Sequence, residues 1–599
     1  MARPEPRPVI HPRSSPHGRY RWIVLSNTTL GVLLATINSS IILISLPAIF
    51  RGIHINPLAP GETSVFLWLI MGYMVVTATL LVTIGRISDM VGRVKMYNLG
   101  FAVFTLGSIL LAVTPGSGNV AALQLIGYRI VQGIGGAFLF ANSAAILTDA
   151  FPHNQRGLAL GLNQIAAVAG SLVGLILGGV LSAIDYRLVF LVSVPVGVLG
   201  TIWAYIALRE IAAIEAGQRV DVLGNVTFAA GLTLLLIGIT YGLLPYGGAP
   251  MGWSNPLVIL ALAGGVVLLA AFTVVETRVQ DPMFRLDLFR NRAFAAGNLA
   301  GLLAAIGRGG LQFMLIIWLQ GIWLPLHGYD YQQTPLWAGI FMTPMLAGFM
   351  IMGPISGYLS DRFGARGFST AGMVVSGVAF VLLTLLPADF PYLVFALLIL
   401  LMGLGMGLFS SPNTASIMNA LPPQHRGVGS GMRATFMNSG TLLSMGLFFT
   451  MVVLGLSASL PRALFDGLTR NGLPTQAAAA VSHLPPTAAL FAAFLGYNPM
   501  ASLLPATVLA HLPAASRSVL LGKHFFPTLI APAFMDGLHL AFGLGAALSA
   551  VAAVASLLRG GRYVYGVTVG RAVEEPGQAA VGGGAPLAAN DPGYRDASD

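Results

Sequence analysis

Cysteine is absent from the 599 residues, which excludes disulfide bonds and thiolate metal sites and leaves the redox compartment open. Lysine is almost absent as well, because only Lys95 and Lys523 occur. Neither follows the glycines of a phosphate-cradling loop of the Gly-x-x-x-x-Gly-Lys-Ser/Thr kind. We therefore do not expect the chain to hydrolyse ATP itself.

Charge of either sign is scarce. Of the residues, 9% are charged and 56% are hydrophobic, whereas a soluble domain carries about 25% charged residues. Apolar stretches of about 20 residues recur along the chain, and each is long enough to cross a hydrocarbon core of about 30 Å. The basic residues behind the formal charge of +10 are scattered and form no stripe for nucleic acid. The predicted fold class is an all-α polytopic membrane protein.

Counting these apolar windows predicts fourteen membrane spans. The first window is too long for the apolar region of a signal peptide and lacks an Ala-x-Ala cleavage site, so we expect it to be retained. Spans 1 to 14 are predicted at 23–48, 65–84, 97–114, 120–147, 157–181, 188–208, 223–244, 256–275, 294–319, 336–357, 369–387, 391–411, 428–455 and 537–558.

The basic residues between the spans predict the orientation. If the N-terminus is cytoplasmic, the inside segments hold 22 Lys and Arg, whereas the outside loops hold six, four of them in the long loop 456–536. Since positive charge marks the cytoplasmic side, we expect both termini to be cytoplasmic in a bacterial plasma membrane.

The chain also repeats itself, once at an offset of 272 residues and once at 270. Eight spans separate the two copies, which is typical of two six-span halves with a hairpin inserted between them, a transporter architecture. The first block pairs Gly85, Asp89 and Gly92 with Gly357, Asp361 and Gly364, and the second pairs Ala150, Pro152, Arg156, Gly157 and Gly161 with Ala420, Pro422, Arg426, Gly427 and Gly431.

The repeat predicts a domain organisation in five parts. These are a basic N-terminal arm 1–22, an N-terminal six-helix bundle 23–208, an inserted hairpin with its flanking loops 209–292, a C-terminal six-helix bundle 293–558 that includes the loop 456–536, and a disordered cytoplasmic tail 559–599.

The loop after span 2 reads Gly-Arg-Ile-Ser-Asp-Met-Val-Gly-Arg-Val-Lys over residues 85–95. Its glycines permit a tight turn, and its aspartate can meet a helix N-terminus or a nearby arginine. It resembles the signature loop of the major facilitator superfamily, and its recurrence disfavours an ordinary basic loop. We interpret both copies as a cytoplasmic gate, with the predicted residues Gly85, Asp89, Gly92, Arg93, Gly357, Asp361 and Gly364.

Spans 4 and 5 carry further glycine patterns. Span 4 is similar to the family pattern Arg-x-x-Gln-Gly-x-Gly-Gly/Ala, with Arg129, Gln132, Gly133, Gly135 and Gly136. Span 5 resembles the antiporter glycine motif, except that Leu175 stands where a proline is usual; close helix packing is the alternative reading. The predicted packing glycines are Gly161, Gly170, Gly174, Gly178 and Gly179.

Two further residue pairs indicate which branch of the superfamily the chain resembles: Trp68 with Tyr73 in span 2, and Pro282 with Met283. With fourteen spans they resemble the drug/proton antiporter family of the EmrB/QacA type, roughly over residues 22–455 and span 14. The resemblance implies the major facilitator fold and an alternating-access exporter of small amphipathic molecules (a drug, metabolite or lipid). It also implies proton coupling, a monomer and no cofactor.

One departure from the family is in span 1, where Asn38 replaces the aspartate that the resemblance implicates in proton or cation handling. No Asp or Glu lies inside a predicted span, and Glu62 and Asp149 flank spans 2 and 4, where either could titrate. An uncoupled facilitator or a lipid transporter that prefers anionic amphiphiles therefore remains an alternative.

Two arginines, Arg129 and Arg308, fall near the middle of spans. Inserting an arginine there costs about 2.5–3.5 kcal/mol on insertion scales. Helix carbonyls, neighbouring amides, cavity water or an anionic substrate group could solvate them. We interpret Arg129 as structural or gating and Arg308 as facing the substrate, and predict a preference for anionic or neutral amphiphiles. The predicted substrate or coupling residues are Asn38, Arg129, Gln132, Arg308 and Gln312.

The loop 456–536 is long yet rich in Ala, Leu, Pro and Phe, with helical stretches near 475–483 and 487–496. It is either a lid for lipophilic cargo or a variable loop that packs on itself or on the membrane surface. A membrane-embedded enzyme is the remaining alternative, but the ten histidines show no catalytic or metal-binding grouping, so neither an enzyme nor a metal site is predicted.

Overall fold

The computed structural model describes residues 18–55, 62–152, 156–211, 221–242, 244–249, 251–279, 282, 284–421, 426–495 and 498–560. Most of the predicted arm 1–22 and nearly all of the predicted tail 559–599 lie outside these residues. The described chain is helical, and fourteen of its helices are long and apolar enough to cross a membrane. The prediction of fourteen spans is confirmed.

Most helices of the spans begin or end several residues beyond the predicted windows, because a hydropathy window marks the apolar core of a helix and not its ends. Spans 3, 6, 7, 11 and 14 instead end one to three residues before their windows do. Span 6 is interrupted at Val192, and span 9 passes through a π-helical turn, Leu319–Trp323. The spans are Tyr20–Gly52, Glu62–Val91, Arg93–Ala112, Gly118–Ala150, Arg156–Ile184, Leu188–Leu191 with Ser193–Ala207, Val222–Gly242, Pro256–Glu276, Arg292–Trp318 with Leu324–Leu326, Thr334–Phe341 with Thr343–Phe363, Ala365–Thr384, Tyr392–Asn419, Arg426–Arg470 and Phe525–Leu557.

Span 5 lies against span 1 along a row of glycines. A Cβ atom on Gly174 would lie 2.6 Å from the carbonyl oxygen of Ile37, so only glycine lets the two backbones approach this closely. Gly170 and Gly178 lie one turn away on either side and meet the carbonyls of Leu33 and Ile41 in the same way. Span 1 is thereby fixed in register against span 5.

Two of the predicted packing glycines behave differently. Gly179 lies against the backbone of Leu336 at the start of span 10, in the other half of the molecule. Gly161 has no atom within 4 Å of the place where its Cβ would lie, so its predicted packing role is not seen.

Spans 7 and 8 form a hairpin that attaches to both halves. The hydroxyl of Thr83 in span 2 donates a hydrogen bond to the Asn225 side chain in span 7. On the other side, Gly446 of span 13 lies against the side chain of Ile239 in span 7. The hairpin therefore lies beside span 2 and span 13.

The two ends of the bundle differ in size. We call the end with Tyr20, Asp89 and Leu557 the proximal face and the opposite end the distal face. Span 13 has 45 residues, or about 68 Å of helix, against a hydrocarbon core of about 30 Å. Spans 13 and 14 therefore project from the distal face, and the loop predicted at 456–536 is shorter than expected and covers 471–524.

This segment, residues 471–524, forms a cap on the distal face. All nine residues of Pro486–Phe494 are buried, and the ring of Phe491 stacks on Phe449 with 5.2 Å between centroids. The two helical stretches that the sequence predicts here are confirmed, and the cap packs on the bundle. Its helices are Thr475–Ser482, Pro486–Phe494, Met500–Leu503, Ala506–His511 and Ala514–Leu520.

Arg559, the first residue of the predicted tail, is packed against the C-terminal bundle. Arg559 is 4% exposed and donates hydrogen bonds to the side chains of Asn413 and Ser369, so it belongs to the C-terminal bundle. Burial lowers the pKa of Arg559 to about 10, which leaves the guanidinium charged at neutral pH.

Candidate functional site

Arg129 lies at the centre of a cluster in the N-terminal half. It is 1% exposed, and its Nη1 donates hydrogen bonds to Asn38 Oδ1 at 2.5 Å and to Gln132 Oε1 at 2.6 Å. Spans 1 and 4 bring the three residues together, since Gln132 lies one turn beyond Arg129 on the same helix face. Three of the five predicted substrate or coupling residues thus form one contact group.

Further neutral groups complete the surroundings of Arg129. The guanidinium carbon lies 4.5 Å from the centroid of the Tyr73 ring, and its Nε points to the Leu69 carbonyl at 3.4 Å. Gln132 in turn donates to Ser108 Oγ at 2.8 Å. Amide and carbonyl dipoles together with an aromatic face therefore solvate this buried cation.

The sequence analysis did not place Tyr73, Leu69 or Ser108 at the site. Tyr73 was noted as part of the family resemblance, and its spacing from Arg129 carries no signal because the two residues lie on different helices. A contact between two helices is decided by how they pack, which a pattern within one helix does not report.

Arg308 and Gln312 form a separate group in span 9. They are one turn apart and share a helix face, and both keep part of their surface accessible inside the bundle. Among the residues that the structure describes, neither side chain has a hydrogen-bond or ion-pair partner. They do not join the Arg129 cluster.

A third arginine, Arg433, lies about two turns into span 13 and was missed. Its guanidinium donates to Thr414 Oγ1 at 2.6 Å, while its Nε is buried without a partner. Arg433 and Arg308 lie on spans that pack against each other, with Gly309 of span 9 against Ser444 and Gly440 of span 13 against Leu302. Arg433 lies inside the predicted window 428–455, and a search of each window for charge would have found it.

The predicted proximal gate contains an ion-pair network. Arg93 Nε lies 2.8 Å from Asp89 Oδ1, and Arg93 Nη1 lies 2.7 Å from the carboxylate of Asp149. Asp149, which the sequence analysis proposed as a free titrating group, is therefore paired with an arginine. The network joins the ends of spans 2, 3 and 4.

The N-terminus of span 3 is capped by Glu210, which was also missed. The carboxylate of Glu210 accepts hydrogen bonds from the backbone N–H groups of Arg93 at 2.9 Å and Val94 at 3.0 Å. A carboxylate at a helix N-terminus is stabilised by the helix dipole. Of the two partners expected for Asp89, the nearby arginine is the one it pairs with, and Glu210 takes the place at the helix end.

The second copy of the gate repeats the backbone of the first. Gly92 and Gly364 each precede a helix with φ of +123° and +91°, a conformation that favours glycine. Gly357 lies next to Ser411, whereas Gly85 has no atom within 4 Å of its Cβ position. Asp361 lies in the last part of span 10, and its side chain is outside the described residues.

Two buried acids lie at the proximal end of the inserted hairpin. Asp221 accepts a hydrogen bond from the N–H of Gly224, and Glu276 accepts one from the N–H of Phe284. Glu276 is the last residue of span 8, and Asp536 lies within the extended helix of span 14 with its side chain exposed. The prediction that the spans contain no acid therefore holds for the predicted hydropathy windows but not for the longer helices of the structure.

The two halves meet near the distal face. Gln320 of span 9 donates to the carbonyl of Ile44 in span 1 at 3.3 Å, and Arg51 donates to the carbonyl of Leu495 in the cap at 3.2 Å. Within the described residues these are the hydrogen bonds that join the N-terminal half to the C-terminal half.

Close backbone contacts also join the halves near the distal face. A Cβ atom on Gly339 at the distal end of span 10 would touch the Leu175 backbone at 2.9 Å. The halves are therefore closed together at the distal face. In the described part of the chain, no group of three or more metal-ligating side chains occurs.

Comparison with known proteins agrees with this architecture. The sequence profile of the Major Facilitator Superfamily matches residues 28–445, which is more than half of the chain. A crystal structure of a bacterial homologue of the human lysosomal transporter Spinster, in an inward-facing and occupied conformation, has a TM-score of 0.55 at 15% identity. The match covers 91% of this chain and 97% of that one.

Curated relatives are transport and resistance proteins. A tetracenomycin C resistance and export protein of Streptomyces glaucescens is 28% identical over 92% of this chain and 94% of its own length. The multidrug transporter MdtP of Bacillus subtilis is 26% identical, with 90% and 92% covered. The riboflavin transporter RibZ of Clostridioides difficile is 29% identical, with 72% and 88% covered. With fourteen spans and a family match over 28–445, this chain belongs to the Major Facilitator Superfamily, whose members are membrane transporters and not enzymes.

Proposed function

We propose that this transporter exports small amphipathic molecules from the cytoplasm of a bacterium by alternating access, with the proximal face inside. The observation that carries the proposal is the closure of the distal end, where the halves are joined by hydrogen bonds and by close backbone contacts at Gly179 and Gly339. Such an arrangement is expected of one end state of a rocking bundle. It would admit substrate from the proximal side.

The names of the relatives support an organic substrate of moderate size. One relative is named for export of tetracenomycin C and another for transport of riboflavin. Both are more than a single ion or sugar in size, and the apolar spans of this chain provide a surface suited to an amphipathic molecule. The exported compound is accordingly proposed as a drug, metabolite or lipid-like molecule.

The test of this proposal is transport by purified protein. Proteoliposomes with the full chain are compared with empty liposomes for uptake of radiolabelled riboflavin, tetracenomycin C and a series of C12 amphiphiles. We expect saturable, protein-dependent flux of at least one amphipathic compound. Failure of every compound to move faster than in empty liposomes would contradict the proposal.

Proton coupling is part of the proposal through the family resemblance. A second candidate, an uncoupled facilitator, is favoured by one observation: Asn38, which stands at the family's acidic position, is bonded to Arg129 as a neutral acceptor. A pH-sensitive dye inside the proteoliposomes distinguishes the two. Substrate addition changes the internal pH if transport is coupled and leaves it constant if it is not.

Orientation is proposed from the distribution of basic residues, and the cysteine-free chain allows a direct measurement. Ser518 is exposed in the distal cap, and Gly367 is exposed at the proximal start of span 11. We expect a membrane-impermeant maleimide to label Ser518→Cys in intact bacteria and to label Gly367→Cys only after lysis. The reverse pattern would place the proximal face outside.

A further inference from the structure

The C-terminal half contains two arginines whose charge the protein itself does not neutralise. Arg308 in span 9 has no partner among the described residues, and Arg433 in span 13 bonds a single threonine hydroxyl. Asp and Glu do not occur in the sequence between 292 and 326 or between 392 and 455. The described parts of spans 9 and 13 that lie near the two arginines, residues 292–326 and 426–455, therefore supply no acid to balance them.

The two arginines are carried by spans 9 and 13, which pack against each other, and their charges are expected to repel each other. Two like charges in a low-dielectric interior disfavour each other, and an anion between them would reverse the sign of the interaction. Arginine has five N–H donors in a planar fork that fits a carboxylate or phosphate group. The pair has the charge and the donors that such a group requires.

Unused polar groups belong to the arginines themselves and to one neighbour. The Nε of Arg433 is buried without a hydrogen-bond partner. Gln312 presents its amide one turn from Arg308, and no protein partner for it occurs among the described residues. Since buried polar atoms are normally hydrogen-bonded, unsatisfied donors on two cations point to a ligand.

The partial accessibility of these side chains supports the same conclusion. Arg308, Gln312 and Arg433 each keep part of their surface accessible although they lie within the helix bundle, whereas Arg129 is 1% exposed. The three side chains are therefore accessible to a bound molecule, whereas that of Arg129 is not.

We propose that Arg308 and Arg433, assisted by Gln312, bind the anionic head of the transported amphiphile inside the C-terminal half. The inference rests on the proposed transport function and adds the charge class of the substrate. A single carboxylate or phosphate group placed between the guanidinium groups would satisfy the free donors and end their mutual repulsion.

The test uses the full chain in phosphatidylcholine nanodiscs and follows thermal unfolding with three C12 probes: laurate, dodecyltrimethylammonium and a neutral dodecyl glycoside. We expect laurate alone to raise the unfolding temperature. Arg308→Gln and Arg433→Gln should each weaken the apparent affinity for laurate about tenfold or more, as loss of one charge-assisted contact predicts. Arg462→Gln is the matched control, because Arg462 is exposed near the distal end of the same helix.

The variants also report whether the arginines are merely structural. If they are, Arg308→Gln lowers the unfolding temperature without ligand and does not change the preference for laurate, and the proposal is overturned. If they form an anion site, Arg308→Gln leaves the ligand-free protein as stable or more stable, because a repelling charge is removed, and it loses the response to laurate.

Two further arms identify the source of the anionic group. In the first arm, the wild type is placed in phosphatidylglycerol nanodiscs. If laurate no longer raises its unfolding temperature there, and inorganic phosphate has no effect either, a lipid headgroup occupies the site. If laurate acts equally in both lipids, the site takes a free amphiphile; both results support an anion site.

Failure of this inference is distinguishable from failure of the proposed function. Transport of dodecyltrimethylammonium with no effect of laurate would keep the transporter and overturn the anion site. Binding of laurate that is unchanged in both arginine variants would overturn the assignment to these residues. Absence of any flux in the proteoliposome assay would instead count against the proposed function.

Discussion

The two halves of the molecule treat a buried arginine in different ways. Arg129 in the N-terminal half is bonded to Asn38, Gln132 and the carbonyl of Leu69, and it lies against an aromatic ring. In the C-terminal half Arg308 has no such partner in the described chain, and Arg433 on the adjacent span 13 is another cation. A charge in a membrane protein must be solvated by the protein or by something that the protein binds.

Arg129 therefore has the surroundings of a structural cation, and Arg308 those of a cation that binds a ligand. The neutral groups around Arg129 form a closed set between spans 1, 2 and 4, which favours a role in holding these helices. The open set around Arg308 favours a role in binding. Each of the following changes tests one side of this difference or the junction between the halves.

The largest effect is expected from Arg129→Gln. It removes a charge whose hydrogen bonds each contribute about 1.5–3 kcal/mol and leaves the acceptors on Asn38 and Gln132 unpaired, so the free energy of unfolding should fall by about 3 kcal/mol. Transport should be lost for all substrates. Arg129→Lys should rescue little, because a lysine cannot donate to several acceptors at once.

Thermal unfolding and transport of Arg129→Gln and Arg308→Gln should be measured side by side. The contrast predicts a large loss of stability for the first and none for the second. Equal losses in both would show that the two arginines have the same structural role and would remove the difference between the halves.

Asn38→Asp is expected to have the next largest effect. A carboxylate about 4 Å from the Arg129 charge would interact with it by roughly 4 kcal/mol at an effective dielectric of about 20, which neutralises the cation of the N-terminal half. The ratio of dodecyltrimethylammonium to laurate transport should rise by about tenfold, equivalent to about 1.4 kcal/mol. Competitive uptake into inverted vesicles measures this ratio, and an unchanged ratio would mean that residue 38 does not influence selectivity.

A smaller effect is expected at the proximal gate from Asp89→Asn. The Asp89–Arg93 pair is partly exposed, so its loss should change the free energy of unfolding by about 1 kcal/mol or less. If the pair must break and re-form as the halves rock, transport should fall more than stability, by about fivefold. Asp466→Asn, an exposed substitution in the distal part of span 13, is the control at equal membrane abundance.

The smallest effect is expected at the junction with the cap. Arg51→Gln removes one hydrogen bond from an exposed side chain to the Leu495 carbonyl, worth no more than about 0.5 kcal/mol, or about twofold in the population of the distally closed state. Labelling of Ala183→Cys, at the distal end of span 5, should become about twofold faster. No change would mean that Gln320 and the packed glycines hold the distal face closed without Arg51.

Much of the fold was predictable because hydropathy acts locally. Each span needs about 20 apolar residues whatever its neighbours are, so the count of fourteen followed from composition alone. The windows were too short where helices leave the membrane, as in span 13, because helix propensity and packing within the cap extend them. The helical stretches of the cap were also predictable, whereas its burial against Phe449 was not.

The candidate site was predictable only in its residue types. Arg129, Gln132 and Asn38 stood out because each is costly or unusual inside an apolar span. Glu210, which caps span 3 from 117 residues away, gave no local signal. Arg433 did give one, since it is a charge inside a predicted window, and it was overlooked.

The sequence by itself determined that the protein lies in a lipid bilayer, how many spans it has, that its gate is duplicated and that acids are scarce. These properties follow from the chemistry of single residues and short segments. Only the tertiary structure decided which charges are satisfied. It bonded Arg129 to neutral partners, left Arg308 beside Arg433 and closed the distal face with the cap. Whether a buried charge is paired depends on which helices are neighbours, and helix packing fixes that in three dimensions.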